Sequence, residues 1–285
     1  MSGLSDVDEG ATTLQVLLKT ADPMKRYFLF FSYDGTAYHG WQVQPNAVSV
    51  QQRVNEALST LLRRPVETVG AGRTDTGVHA RMMAAHFDAD ALDVVWLADR
   101  LNRILPPDIA VHAVREMRDG AHARFDATAR TYHYYVYTGK SPFRRHYAAR
   151  LYFQPDYELM NRAAAELLAV SDFTSFSKLH TDTRTNFCRL SRARWVSLAP
   201  DYWRFEITAD RFLRNMVRAV VGTLLDVGHH RLTLDGFRRV VDCRDRCAAG
   251  DSVPANALFL VDVRYPDALF ADGSAPAAED SCPEP

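Results

Sequence analysis

Cysteine is scarce in this chain: Cys188, Cys243, Cys247 and Cys282 are scattered through 285 residues. So few, so unevenly placed, exclude the disulfide framework that staples small secreted domains. Cys243 and Cys247 lie four apart in an expected helix. The ten histidines, however, form no His-x3-His helix and the cysteines no Cys-x2-Cys pair, so no metal is expected and the thiols read as structural. Long apolar runs are also missing. None approaches the roughly 18 residues of a membrane span. Leu14–Leu18 lacks a basic segment before it, so no secretory leader is read and a cytoplasmic protein is expected. Net charge is nearly absent, at −1, which at first argues against a nucleic-acid partner. Its distribution says otherwise. Residues 1–25 carry −2 and residues 267–285 carry −5, leaving +6 for residues 26–266. A basic body between acidic ends is compatible with a polyanionic partner.

What the sequence does contain is a large apolar fraction, 47%, with ample aromatics, enough for a sizeable core. Residues 1–25 and 267–285 read as disordered extensions: both are acidic, and the second is rich in Ala and Pro. Tyr27–Tyr33 is an aromatic strand. Ser49-Val-Gln-Gln52 has the form of a capping box, and Val50, Val54, Ala57, Leu58, Leu61 and Leu62 follow at helical spacing. Leu97, Leu101 and Leu105 mark a second helix, ended by Pro106-Pro107, and Ile109–Val114 a strand. The first half thus alternates strands and helices as an α+β layer does.

Arg130–Tyr137 alternates as a strand, with Tyr132, Tyr134 and Val136 on one face. Asp156 caps a helix, and a hairpin turns at Ala199-Pro200-Asp201. A long helix is expected over Asp210–Val227, with Gly228 as its C-terminal signal. Its register places Arg211, Arg214 and Arg218 in one basic stripe. A further helix (Phe237, Val240, Val241) and a strand (Ala257–Tyr265) complete the second half.

One stretch stands out. Gly70-Ala71-Gly72-Arg73-Thr74-Asp75-Thr76-Gly77-Val78-His79-Ala80 holds three glycines, an arginine, an aspartate and a histidine. It lies between two strand-like runs and reads as a tight loop with Asp75 at its tip. By itself it is either a surface hairpin with a solvated ion pair or a reactive centre. Elsewhere, Asp34-Gly35-Thr36 after a strand resembles the nucleophile loop of haloacid-dehalogenase-type phosphatases, but Ser32 occupies the nucleophile slot, which removes that chemistry. Tyr132, Tyr134 and Tyr135 beside Arg124 and Arg130 suit stacking on RNA bases, or simply a structural strand.

The glycine loop, Gly72-Arg-Thr-Asp75 with Gly77-Val-His79-Ala80, closely resembles the catalytic loop of the tRNA pseudouridine synthase A family. Further segments are similar to that family in order and spacing. They include Tyr33-Asp-Gly, Gly40-Trp-Gln42, Asn102-x-x-Leu-Pro106, His122-Ala-Arg-Phe125, Arg130-x-Tyr132-x-Tyr134, Asp172–Phe176, Phe212–Arg218 and Pro254-Ala255, and together they span about residues 26–266.

The resemblance implies an α+β pseudouridine synthase fold. Two similar subdomains, residues 26–124 and 125–266, would each have an antiparallel or mixed sheet backed by helices, with a cleft between them. It implies a cofactor-free isomerase acting on uridines 38, 39 and 40 of the tRNA anticodon stem-loop, working as a homodimer. Asp75 would be the essential aspartate, Arg218 its partner, Tyr132 the residue stacked on the target base, and Arg73 the side chain that extrudes the nucleotide. Arg211 and Arg214 suit phosphate contacts. A synthase for another RNA position, and a non-catalytic RNA-binding module, are the alternatives. Met83 and Ala257 depart from the family's usual glutamine and glycine, which bears on substrate range more than on reacting groups.

A basic body binding RNA makes a test. Affinity for tRNA should fall with added salt, with a log–log slope steeper than about −3 if several phosphates are neutralised. A filter-binding titration over a salt series reads it.

Overall fold

The computed structural model describes residues 24–178 and 185–273. Of the extensions expected at 1–25 and 267–285, residues 1–23 and 274–285 lie outside them. The elements run β1 (Lys25–Tyr33), α1 (Val50–Leu62), β2 (Val69–Gly70), β3 (His79–Ala89), α2 (Val94–Ile104), β4 (Ile109–Glu116), β5 (Ala129–Tyr137) and β6 (Ala149–Arg150). They continue with α3 (Tyr157–Glu166), β7 (Leu190–Ala199), β8 (Tyr202–Ala209), α4 (Met216–Gly228), α5 (Leu234–Asp242) and β9 (Leu258–Arg264). The fold is α+β, as expected.

The local signals work through their ordinary chemistry. Ser49 accepts from the Gln52 amide, Asp93 from Val95 and Trp96, and Asp156 from Leu159, so three helices begin on side-chain caps. Each cap contributes about 1 kcal/mol. The apolar faces of α1 and α2 then bury Val50, Val54, Leu58, Leu97 and Leu101 against β1, β3 and β4.

The strands form one continuous sheet in the order β4-β1-β3-β9-β5-β8-β7, with β2 on β3 and β6 on β5. All neighbours on this path but one are antiparallel. β3 and β9 pair parallel, through His79–Phe259 and Ala80–Leu260. That junction joins the strands of the first half to those of the second, and it begins at the first residue after the glycine loop.

Two principal cores result. One lies between β1, β3, β4 and helices α1 and α2; the other between β5, β7, β8 and helices α3, α4 and α5. Alternation along β5 sends Tyr134 and Val136 into the second core, while Tyr135 and Tyr137 pack on the opposite face with Tyr202 and Phe259. Tyr132 touches both principal cores and so stands at their seam.

Two expectations need correction. Lys25, assigned to the N-terminal extension, opens β1. The acidic tail expected from residue 267 is folded through residue 273. Phe270 is fully buried and stacks on Phe30 at 6.2 Å, the Arg118 amide donates to the Leu269 carbonyl, and Arg115 pairs with Asp272. Composition pointed to a solvated tail, but one aromatic side chain found a place in the first core and carried its neighbours with it.

Several imidazoles are held neutral. Burial brings His86 down to about 4 and His133 to about 3, and also lowers His79 and His122. These groups are depressed below the ordinary value of 6.5, so the unfolded chain binds more protons than the folded one between those limits. Stability is therefore full above pH 6.5 and declines as pH falls towards 4. Thermal melts across that range should show a falling Tm.

Candidate active site

The glycine loop bridges the two principal cores. Ala71 is buried in the first and Val78 in the second, and residues 72–77 cross between them. Each end is pinned by backbone. The Ala71 amide donates to the Ala84 carbonyl, and the Gly77 amide to that of Tyr38. The tip is a turn in which the Val78 amide donates to the Asp75 carbonyl at 3.1 Å, with Gly77 at φ +77. That left-handed φ is the reason for a glycine there.

The segment after β1 forms a floor under the loop. A Cβ on Gly40, itself at φ +86, would lie 2.2 Å from the Thr74 carbonyl oxygen, and a Cβ on Gly35 would lie 2.0 Å from that of Val78. The glycines of the Tyr33-Asp-Gly and Gly40-Trp segments thus let the loop backbone approach. Tyr33, at the end of β1, shares a hydrogen bond with Thr74 Oγ1 at 2.9 Å. His79 is locked below, with Nδ1 accepting from the Gly35 amide and Nε2 donating to the Asn256 carbonyl, both at 3.0 Å.

Asp75 faces α4 across the seam. Arg218 Nη1 lies 3.3 Å from Asp75 Oδ2, and the two side chains are 22% and 26% exposed. Arg218 is aimed by its other end: Nε donates to the Val253 carbonyl at 2.7 Å. Residues 251–253 lie tight on α4 because Gly222 leaves them room; a Cβ there would be 1.8 Å from the Asp251 carbonyl oxygen.

Tyr132 lines the same seam, edge-on to Phe212 at 5.1 Å. Burial pushes its phenol up to about 12; the Arg130 charge opposes that shift and the Asp75 charge adds to it. Tyr132 is therefore a neutral phenol near neutral pH. The arrangement offers a carboxylate with a cationic partner and an aromatic ring at the seam between the two cores. It suits stabilisation of positive charge developing at a sugar carbon.

The long basic stripe is not formed. Residues 210–215 are irregular, and α4 begins at Met216 after Asn215, which adopts φ +65. The reason lies in competing hydrogen bonds. The Asp210 carboxylate takes the amides of Arg189 and Arg211, and the Arg214 carbonyl takes the Lys178 amide instead of a helical partner. Arg211 and Arg214 thus leave the helix that carries Arg218. Arg214 is exposed and Arg211 half-buried, while Arg73 is exposed on the loop. Gly228 is the last residue of α4 rather than a left-handed cap. It allows close packing, since a Cβ there would lie 2.3 Å from Met160 Sδ.

Both departures from the family pattern are buried. Met83 packs beneath Gly70 and Ala257 sits in the second core. The sequence patterns did not reveal the Tyr33–Thr74 hydrogen bond, the Val253 carbonyl behind Arg218, or the backbone carbonyls gathered around Arg130. Strand alternation gives one usable signal, placing Arg130 on the face of Tyr132 two residues later.

Comparison with known proteins identifies the family of the chain. The family described as tRNA pseudouridine synthase matches residues 29–126 and 163–266. A tRNA pseudouridine synthase A from Bacteroides thetaiotaomicron is 60% identical over 252 residues, covering 87% of this chain and 94% of the relative. One from Porphyromonas gingivalis is 53% identical, covering 87% and 100%. One from Bacillus subtilis is 38% identical, covering 82% and 96%. The chain belongs to the tRNA pseudouridine synthase family and is an isomerase of tRNA uridine.

The floor under the loop is testable. Gly40→Ala combines an unfavourable φ with a backbone clash, and should lower stability by about 1–3 kcal/mol. Denaturant unfolding measures the loss.

Proposed function

We propose that this isomerase converts uridines 38, 39 and 40 of the tRNA anticodon stem-loop to pseudouridine, with Asp75 as the essential catalytic aspartate. The observation that carries the reading is the Asp75–Arg218 ion pair at the seam. The two residues lie 143 positions apart, and the pairing requires both halves of the fold. The relatives, all named tRNA pseudouridine synthase A, support the substrate.

The reaction breaks the bond from ribose C1′ to uracil N1 and forms one from C1′ to C5. The proton leaves C5 and a proton is restored at N1, so nothing is oxidised or reduced. Asp75 serves the sugar centre, where a carboxylate stabilises or captures the electron-poor C1′. Arg218 orients that carboxylate. Tyr132 stacks on the uracil, and its neutral phenol relays the proton rather than acting as a phenolate.

Arg73, exposed on the loop, is placed to enter the RNA stack as the nucleotide leaves it. Arg211 and Arg214, outside α4, hold phosphates on the α4 side. The enzyme works as a cytoplasmic homodimer, with one tRNA reaching across both subunits.

The test is to incubate the purified enzyme with unmodified tRNA and map pseudouridine chemically. Conversion is expected at positions 38 to 40 and nowhere else. Asp75→Ala should lower turnover by more than about 1,000-fold while tRNA still binds, and Arg218→Ala by about 100-fold. Substantial turnover by Asp75→Ala removes the assigned aspartate. Conversion confined to other positions redirects the enzyme to a different site on RNA.

A further inference from the structure

Arg130 is a buried guanidinium, 9% exposed, two residues before Tyr132 on β5. All four of its side-chain hydrogen bonds go to backbone carbonyls. Nη1 donates to Ala127 at 2.9 Å and to Asp210 at 2.7 Å; Nη2 donates to Ala71 at 2.9 Å and to Arg124 at 2.6 Å. These carbonyls belong to three separate segments. Arg124 and Ala127 lie in the connection between the halves, Ala71 opens the loop that carries Asp75, and Asp210 opens the segment leading to Arg218.

A buried charge satisfied only by dipoles is a demanding way to hold a fold together. Removal from water disfavours the cation, and burial lowers the Arg130 pKa accordingly. An apolar side chain would fill the space without that penalty. What the guanidinium adds is geometry. Its rigid fork holds four acceptors at fixed angles, whereas an ammonium is a single point of charge on a flexible stem.

We propose that Arg130 is a positioning residue for the isomerisation: it fixes the start of the Asp75 loop relative to the segment leading into α4, so that Asp75 and Arg218 meet in one register. This rests on Asp75 and Arg218 being the reacting pair. Arg130 acts through them. Its positive charge also lies near the Tyr132 phenol, where it opposes the upward push of burial.

The test compares Arg130→Lys and Arg130→Ala with the wild-type enzyme by steady-state kinetics on unmodified tRNA, alongside thermal melts. Arg130→Lys retains the charge and loses the fork. It should fold, keep KM for tRNA within about threefold, and lose about 100-fold in kcat. Arg130→Ala should lose more, and guanidinium ion at millimolar concentration should restore part of its kcat while leaving Arg130→Lys unchanged.

A folded Arg130→Lys enzyme with wild-type kcat overturns the proposal. So does guanidinium that raises the Tm of Arg130→Ala without raising kcat, the behaviour of a purely structural clamp. If Arg130→Ala does not fold, the kinetics of Arg130→Lys decide alone. Asp75→Ala, run in parallel, separates the two failures. Turnover retained by Asp75→Ala overturns the underlying assignment and this proposal together. An inactive Asp75→Ala with a fully active Arg130→Lys overturns the role of Arg130 alone.

Discussion

Six residues of backbone carry the site across the boundary between two hydrophobic cores, and the rest of the structure serves that crossing. Ala71 is anchored on one side and Val78 on the other. Burial at both ends fixes the span, and the glycines beneath it leave nothing but backbone at the closest approach. The parallel junction between β3 and β9 starts immediately afterwards, at His79. The point where the sheet is stitched together therefore adjoins the loop that carries Asp75. A loop constrained from both ends and from below can present a carboxylate in one orientation, which a surface hairpin cannot.

The arginines around this crossing differ in kind because their surroundings differ. Arg218 is partly exposed, ion-paired, and aimed by the Val253 carbonyl. A partly exposed single pair of this sort adds little to stability. Arg130 is buried and organises backbone. Arg73 is exposed and free of both duties in the fold. The same side chain thus sits in an ion pair, among backbone carbonyls or exposed to solvent, according to how much water reaches it. Tyr132 shows the same dependence on environment: burial keeps its phenol protonated.

Much of the organisation was legible from local pattern. The capped helices, the aromatic strand β1, the alternating strand β5 and the hairpin of β7 and β8 all follow from short-range signals, and each forms close to its expected bounds. The failures are equally physical. Helical periodicity continued through residues 210–215, but the Asp210 carboxylate accepts from the Arg189 and Arg211 amides and the Arg214 carbonyl from the Lys178 amide, which gave that backbone other partners. Acidic, Ala-rich composition hid Phe270, whose burial depends on a gap beside Phe30 that no local reading reveals. Gly228 looked like a terminator because the sequence does not show Met160 packed against it.

The sequence by itself determined most of the elements, the glycine loop that carries Asp75, and a family resemblance that spans most of the chain. Periodicity, caps and turn residues act over a few positions, so a linear reading captures them. Only the tertiary structure decided which charges meet. It brought Arg218 to Asp75, seated Arg130 among the carbonyls of three distant segments, set Tyr132 between the cores, and moved Arg211 and Arg214 off the helix of Arg218. Those outcomes depend on burial and on competition for hydrogen bonds between segments far apart in the chain, and such competition is settled only when the two halves pack.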